Sequence, residues 1–494
     1  MLVRSYRVRS RPAAAVWAGA LLGLALLSLG LVHLESGRSA RAKVAAQPLR
    51  PLLLVDLAAN REARGGKPLA ELETWRAAAS AVGREVEVFE GESLIDVDPA
   101  RYAVWVLPAQ DRLSYYDWEA LDSFLARDGG AVLTGATGLL GEDESEPSAL
   151  ERLFPGERFV GATGAARGLR VVGRSALVAG FAAGEELELA KAKGSIATAN
   201  PGALDWSGSE AGAAALPGLH RGAPVAWLGF SIARLESADD AARLATNALH
   251  FAAREPLLDL RPWPDGRPCA VLVNGGREVD SADELCRADS ADPGEAAIDV
   301  LVRGGCRFAT TAAGARVLPA VLERPAGTIV AIPEPRPRHD ALGAALLREL
   351  LSGYESAERM GTIFSLRTEA GWRAAEGREA LFASVRHELG ARRAWFARPD
   401  QLADWWLARE QVEARLEPVS PDSVRVVFTN RGSTPARGVT ARIYVPDGSD
   451  RPRIEAPRMF ARRALLRLSV DHSFVELVAR PLDPGTEVSY TLRF

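Results

Sequence analysis

Residues 51–56 read Pro-Leu-Leu-Leu-Val-Asp, an unbroken apolar run that suits a strand buried on both faces. Over residues 69–82 the apolar positions recur at helical spacing, and residues 85–89 then alternate as a strand. Residues 102–107 (YAVWVL) form a second buried run, 118–127 a second helix, and 131–134 (AVLT) another strand. Strands and helices alternating at these lengths predict a doubly wound α/β domain. Residues 141–222 are less regular, with short strands at 169–172 and 186–190 and a Gly/Ala/Ser-rich loop around 205–215. A strand at 225–230 (VAWLGF) and a helix at 238–253 close the unit.

Four prolines between 256 and 268 mark a linker. A buried strand at 269–273 follows, running straight into Asn274-Gly275-Gly276. Further strands are predicted at 307–310 and 328–332, and helices at 341–351 and 374–389. The unit ends with 394–397 and a helix bearing Trp405 and Trp406. From Glu413 the pattern changes to short strands at 423–430, 439–445, 465–470, 474–479 and 488–492. Turn signals such as Asn430-Arg431-Gly432 and Asp483-Pro484-Gly485 lie between them, the pattern of a small β-sandwich. The expected units are 51–255, a linker at 256–268, 269–410 and 411–494. Three domains also fit 494 residues at roughly 150 per domain.

Residues 13–32 carry no charge and are rich in Leu and Ala, long enough for a hydrocarbon core of about 30 Å. Arg4, Arg7, Arg9 and Arg11 precede the run without an acid, so residues 1–12 are expected in the cytoplasm. Residues 33–50 then link a transmembrane anchor to an extracytoplasmic bulk, periplasmic or on the cell surface. The alternative is a cleaved signal, with Ala40-Arg41-Ala42 at a cleavage-like spacing. With no second apolar run of that length, a channel or transporter is not expected. A net charge of −4 argues against nucleic acid as a partner. Cys269, Cys286 and Cys306 allow one bridge and an odd thiol, or three separate thiols.

The segment 269–409 resembles the polysaccharide deacetylase (NodB-homology) family. The likeness rests on CAVLVNGG (269–276), on GTIFSLRTE (361–369) and on AWFARPDQLADWWLAR (394–409). It implies a distorted (β/α) barrel with chemistry at the carboxyl ends of the strands. In that family an Asp and two His hold a divalent metal that activates water, with an Asp as base. This sequence departs from the pattern. It has no His pair spaced by three to five residues, its first turn offers Asn274 instead of an Asp pair, and Arg367-Thr368-Glu369 stands where the late strand ends in His. Asn274, Asp280 and Glu369 remain candidate catalytic residues, and Asp280 with His339 a candidate metal pair; all of them also read as solvated loop residues.

Residues 104–138 (VWVLPAQDRLSYYDWEALDSFLARDGGAVLTGATG) together with VAWLGF resemble the flavodoxin-like, class I glutamine-amidotransferase-like fold. That fold needs a nucleophilic Cys on the turn after its strand. Here the turn is Gly135-Ala136-Thr137-Gly138, and the unit holds no cysteine. Tyr115, Tyr116 and Trp118 lie beyond the strand ending at Leu107, near the rim where open α/β sheets bind ligands, and are candidate glycan contacts. Trp118 can equally begin an amphipathic helix and pack inward. The chain is therefore expected to be a membrane-anchored, non-catalytic deacetylase-like protein that needs no cofactor. It would bind or scaffold envelope or exported polysaccharide, or other envelope proteins. A divergent metal-dependent deacetylase and a subunit of a membrane-bound assembly are the alternatives.

Overall fold

A computed structural model describes residues 50–139, 148–161, 168–172, 175–182, 184–190, 196–198, 202–207, 212–273, 286–288, 294–312, 318–334, 344–366, 378–420, 423–445, 453–455, 465–468 and 474–494. The run 13–32 lies outside these residues. Among the described residues no helix is long and apolar enough to cross a membrane. The chain is a mixed α/β protein with one large part-parallel sheet followed by β-rich units.

Strands β1 (Leu52–Val55), β2 (Val86–Phe89), β3 (Val104–Pro108) and β4 (Gly130–Thr134) are joined much later by β11 (Ala223–Leu228). They lie in the order β2-β1-β3-β4-β11, and every neighbouring pair in that run is parallel. Their apolar runs work because each side chain alternates between two covered faces. Leu52 and Leu54 enter one core with Trp75 and Ala79 of the helix Leu72–Ala81 and Leu244 of the helix Ala238–Ala252. Leu53 and Val55 enter the other, with Leu121 and Phe124 of the helix Tyr115–Leu125. In that second core Trp105 stacks on Phe124 with ring centroids 4.3 Å apart.

Beyond β11 the sheet continues antiparallel through β10 (Ala213–His220), β9 (Leu204–Ser207), β6 (Gly168–Val171) and β7 (Glu186–Glu188). The Gly/Ala/Ser-rich stretch around 205–215, expected to be a loop, thus supplies parts of two strands. Ala213, Ala214 and Ala215 are fully buried there. Small residues fit because β11 and β9 flank them closely, so sheet context overrides weak strand propensity.

In the next unit β13 (Ala270–Leu272) lies between β17 (Ile363–Ser365) and β18 (Trp395–Ala397), all parallel. A separate sheet holds β14 (Phe308–Ala312), β16 (Gly327–Glu334) and β15 (Ala320–Arg324), the last antiparallel. The expected barrel is corrected here: among the described residues these are two three-stranded sheets that do not close on each other. An antiparallel edge at β15 and strands of three residues leave no continuous ladder for closure. Cys286 and Cys306 are joined by a disulfide, and Cys269 is a buried thiol.

The C-terminal unit holds two four-stranded antiparallel sheets. One contains β19 (Val412–Ser420), β20 (Ser423–Asn430), β25 (Glu487–Arg493) and β22 (Arg453–Glu455). The other contains β21 (Thr440–Tyr444), β24 (Phe474–Val478), β23 (Leu465–Leu468) and, at its edge, β12 (Leu257–Leu260). Strand β12 comes from the proline-rich segment read as a linker, so that segment is itself part of a sheet. Trp405 and Trp406 pack around Trp263 of the same segment, and the Trp405 indole donates to the Pro262 carbonyl. One apolar core is thereby shared between the middle and last units.

Candidate functional site

Open parallel sheets bind ligands outside the carboxyl ends of their strands, where the strand order reverses. Here that point lies between the loops leaving β1 and β3. Strand β3 ends at Pro108, and Ala109 turns the chain with φ of 49°, a left-handed conformation that costs energy for a residue with a Cβ. The structure over-determines this turn through Gln110, which is fully buried. The Gln110 amide oxygen accepts from the Leu57 N–H, its amide nitrogen donates to the Pro108 carbonyl, its N–H donates to Thr137 Oγ1, and its carbonyl accepts from Gly138. Asn60 clamps Arg112, two residues on, both ways, donating to its carbonyl at 2.9 Å and accepting from its N–H at 3.1 Å. These amides stitch the two loops together across the switch point, and Asp56 pairs with Arg64 beside them.

The turn after β4 was the place for a nucleophile. Gly135 takes φ of 62° there, but Thr137 is fully buried. Its hydroxyl lies 2.8 Å from the Leu107 carbonyl and 2.6 Å from that of Thr134, and it accepts from Gln110. With its proton donated to a carbonyl and one lone pair accepting from Gln110, Thr137 is a staple. Beneath the same strand end, Glu71 is buried and receives hydrogen bonds from the Trp75 indole at 3.0 Å and the Thr134 hydroxyl at 3.0 Å. Desolvation nevertheless raises its carboxyl above the ordinary glutamate range. It stands at the N-cap of the helix Leu72–Ala81, withdrawn from solvent.

What the rim exposes is aromatic. Ser114 and Asp117 form a capping box that starts the helix at Tyr115. Tyr115 and Tyr116 sit on its first turn, 52% and 61% exposed, edge-to-face with ring centroids 5.9 Å apart. Asp117 also accepts from Ser93 and from the Leu94 N–H, which fixes the neighbouring segment that carries Ile95, itself 61% exposed. The Tyr115 hydroxyl donates to Glu119 at 2.6 Å. Trp118 does not join the pair. It packs against the sheet core, edge-to-face with His220 and under the Arg152 guanidinium.

The middle unit offers a second rim. Four of the loops leaving its strand ends, 274–285, 313–317, 335–343 and 367–377, lie outside the described residues. Asn274, Asp280, His339 and Glu369 fall in them, so the structure neither assembles nor separates these candidates. On the floor below, Glu334 is buried and accepts from the Ser365 hydroxyl at 2.9 Å. Among the described residues no group of three His, Cys, Asp or Glu side chains is placed to hold a metal ion. His220 instead pairs with Asp122, and His250 with Glu255.

No family model matches the sequence, and no curated protein matches it. The chain is similar to solved β-galactosidases. That from Rahnella sp. R3 is 14% identical, with 41% of this chain and 31% of that one covered at a TM-score of 0.31. The enzyme from Bacillus circulans sp. alkalophilus is 13% identical, with 43% and 32% covered at 0.32. A catalytic variant of a GH42 β-galactosidase from G. stearothermophilus is 11% identical, with 91% and 41% covered at 0.23. The chain thus spans about a third of the length of the first of these. The deacetylase resemblance, and the deacetylase-like function read from it, are corrected: no family model matches, and among the described residues the strands expected to form the barrel form two separate three-stranded sheets. With TM-scores below 0.5, these likenesses say nothing of what this chain binds or does.

Gln110, Asn60 and Glu71 were not legible as site residues. The one local signal was position, since Asp56 and Gln110 stand directly beyond apolar strands, where open sheets place functional loops.

Proposed function

We propose that the protein recognises carbohydrate through the Tyr115–Tyr116 rim of a flavodoxin-like, amidotransferase-like unit and is held at the outer face of a membrane by residues 13–32. The observation that carries this reading is the exposed tyrosine pair on a first helical turn fixed by the Ser114–Asp117 box. Exposed rings on a fixed backbone present apolar faces to sugar C–H surfaces at little entropic cost, and phenol hydroxyls supply polar contacts. The stitched switch point and the engaged Thr137 hydroxyl favour recognition over turnover at this rim. The Cys286–Cys306 disulfide supports an oxidising compartment, which agrees with an extracytoplasmic bulk. The units 51–255, 269–410 and 411–494 belong to this reading.

Its test is a glycan array probed with the full chain in detergent, beside a Tyr115→Ala/Tyr116→Ala variant. Saccharide binding by the wild type that the variant loses is the expected result. Binding that survives both substitutions, or no binding by the wild type, refutes it.

A further inference from the structure

A cavity of about 80 Å³ lies where the three units meet, away from the rim. Its walls come from several distant stretches of sequence. The first unit contributes the tip 178–182, the strand β12 segment Asp259 and Arg261, the middle unit Met360 and Arg409, and the last sheet Arg442 and Tyr444. The tip is held rigidly from behind. Asn247 donates to the carbonyls of Leu177 and Ala179, and Arg243 donates to the Gly180 carbonyl while lying over the Phe181 ring. Gly180 takes φ of 79°, which turns its N–H toward the Asp259 carboxylate.

Among the residues that line the cavity, three guanidinium groups, Arg261, Arg409 and Arg442, meet one carboxylate, Asp259. Antiparallel pairing places Asp259 opposite Arg442, and Arg442 opposite Glu476, in one row across the sheet. Arg442, with 2% of its side chain exposed, donates to Glu476 at 2.8 Å, hydrogen-bonds Tyr444 and lies 4.1 Å above the Phe474 ring. Arg261 shares the same Glu476 at 3.3 Å. Arg409 donates to the carbonyls of Leu260 and Arg261, and meets the more exposed Glu410 at 2.6 Å. Three guanidinium groups therefore face two inner carboxylates, Asp259 and Glu476. Of these two, Asp259 accepts from Gly180, and burial raises its carboxyl so that it holds its proton more readily. The Arg442 Nε is buried without an acceptor, an arrangement that costs free energy unless something fills it.

We infer that this junction cavity binds one small oxyanion, a carboxylate or phosphate group, through Arg442, Arg261, Arg409 and the Tyr444 hydroxyl. The chemistry follows from the donors. Guanidinium groups match oxyanions in shape and charge, and a low-dielectric site strengthens each charge-assisted bond. The cavity is small, which suits a single such group. Because each unit supplies part of the wall, an occupant ties the three units together and stabilises their arrangement by mass action. This site does not depend on the carbohydrate reading of the rim.

The experiment titrates the full chain with inorganic phosphate, acetate and glucuronate at constant ionic strength, against chloride, by calorimetry and thermal unfolding. One oxyanion per chain is expected to bind and to raise the melting temperature by about 2 °C or more. Phosphate alone would mark a free inorganic ion as the ligand, acetate any small carboxylate, and glucuronate alone an acidic saccharide end; each supports the site. Arg442→Gln should weaken binding about tenfold or more. Because Arg442→Gln can also disturb folding, Ala182→Phe fills the cavity with every charge retained and should abolish binding while the chain stays folded. An unchanged response in Ala182→Phe places the anion elsewhere and overturns the inference, as does no response to any of the three probes.

Discussion

Two polar clusters in this molecule look alike in composition and differ in completeness. At the rim of the parallel sheet, Gln110, Asn60 and Thr137 lie beyond the strand ends like the lining of a binding crevice, and each of them is hydrogen-bonded to backbone of a neighbouring segment. At the junction of the three units, Arg442 keeps a buried donor without a partner beside an open cavity. A satisfied buried network rigidifies the chain around it, whereas a buried charge with unused donors calls for a ligand. The first cluster therefore serves as scaffold for the tyrosines it holds up, and the second as a receptor.

Substitutions can break this contrast, beginning with the largest effect. Arg442→Ala should destabilise the chain by about 3–5 kcal/mol, because Glu476 then keeps only Arg261 as a counter-charge. Denaturant unfolding checks this, and a loss no larger than that of a surface substitution would remove the junction from the account. Gln110→Ala leaves the Leu57 N–H and the Pro108 carbonyl without partners and should cost about 1–3 kcal/mol by the same assay.

Glu71 gives a pH test of the scaffold. Its folded carboxyl is raised above the unfolded value, so the native state holds the proton more tightly. Stability should be greatest below the ordinary value of about 4.3 and fall as pH rises toward the raised folded value. Glu71→Gln should remove that slope, so the variant gains on the wild type as pH increases. Melting temperatures of both proteins across that range decide it, and parallel curves would show that Glu71 titrates like an exposed acid. The smallest stability effect belongs to the rim surface: Tyr115→Ala and Tyr116→Ala should each change stability by about 0.5 kcal/mol or less, since both rings are exposed.

Much of the first unit was legible because its information is local. Runs such as LLLV and VWVL specify strands covered on both faces, and the helix at 238–252 repeats its apolar residues at helical spacing. Strand β10 was hidden because Ala213–Ala215 have no strand propensity of their own and are strand only beside β11. Strand β12 was hidden by the prolines around it, although β21 supplies its ladder from nearly two hundred residues away. The tyrosine pair could be singled out from its place beyond β3, but whether Trp118 joined it depended on His220 and Arg152. The junction cluster was beyond reach for the same reason. Asp259, Arg442 and Glu476 mean nothing singly in so charged a chain, and only the pairing of β12, β21 and β24 brings them into one row.

The most direct test of the division between scaffold and recognition surface is saccharide affinity, measured by calorimetry on three forms of the full chain. With a sugar selected by the wild type, Tyr115→Ala/Tyr116→Ala should lose binding, while Thr137→Val, which removes the staple hydroxyl beneath the rim, should keep it at reduced stability. Binding lost in Thr137→Val and kept without the tyrosines would show that the crevice, and not the exposed rings, is the site.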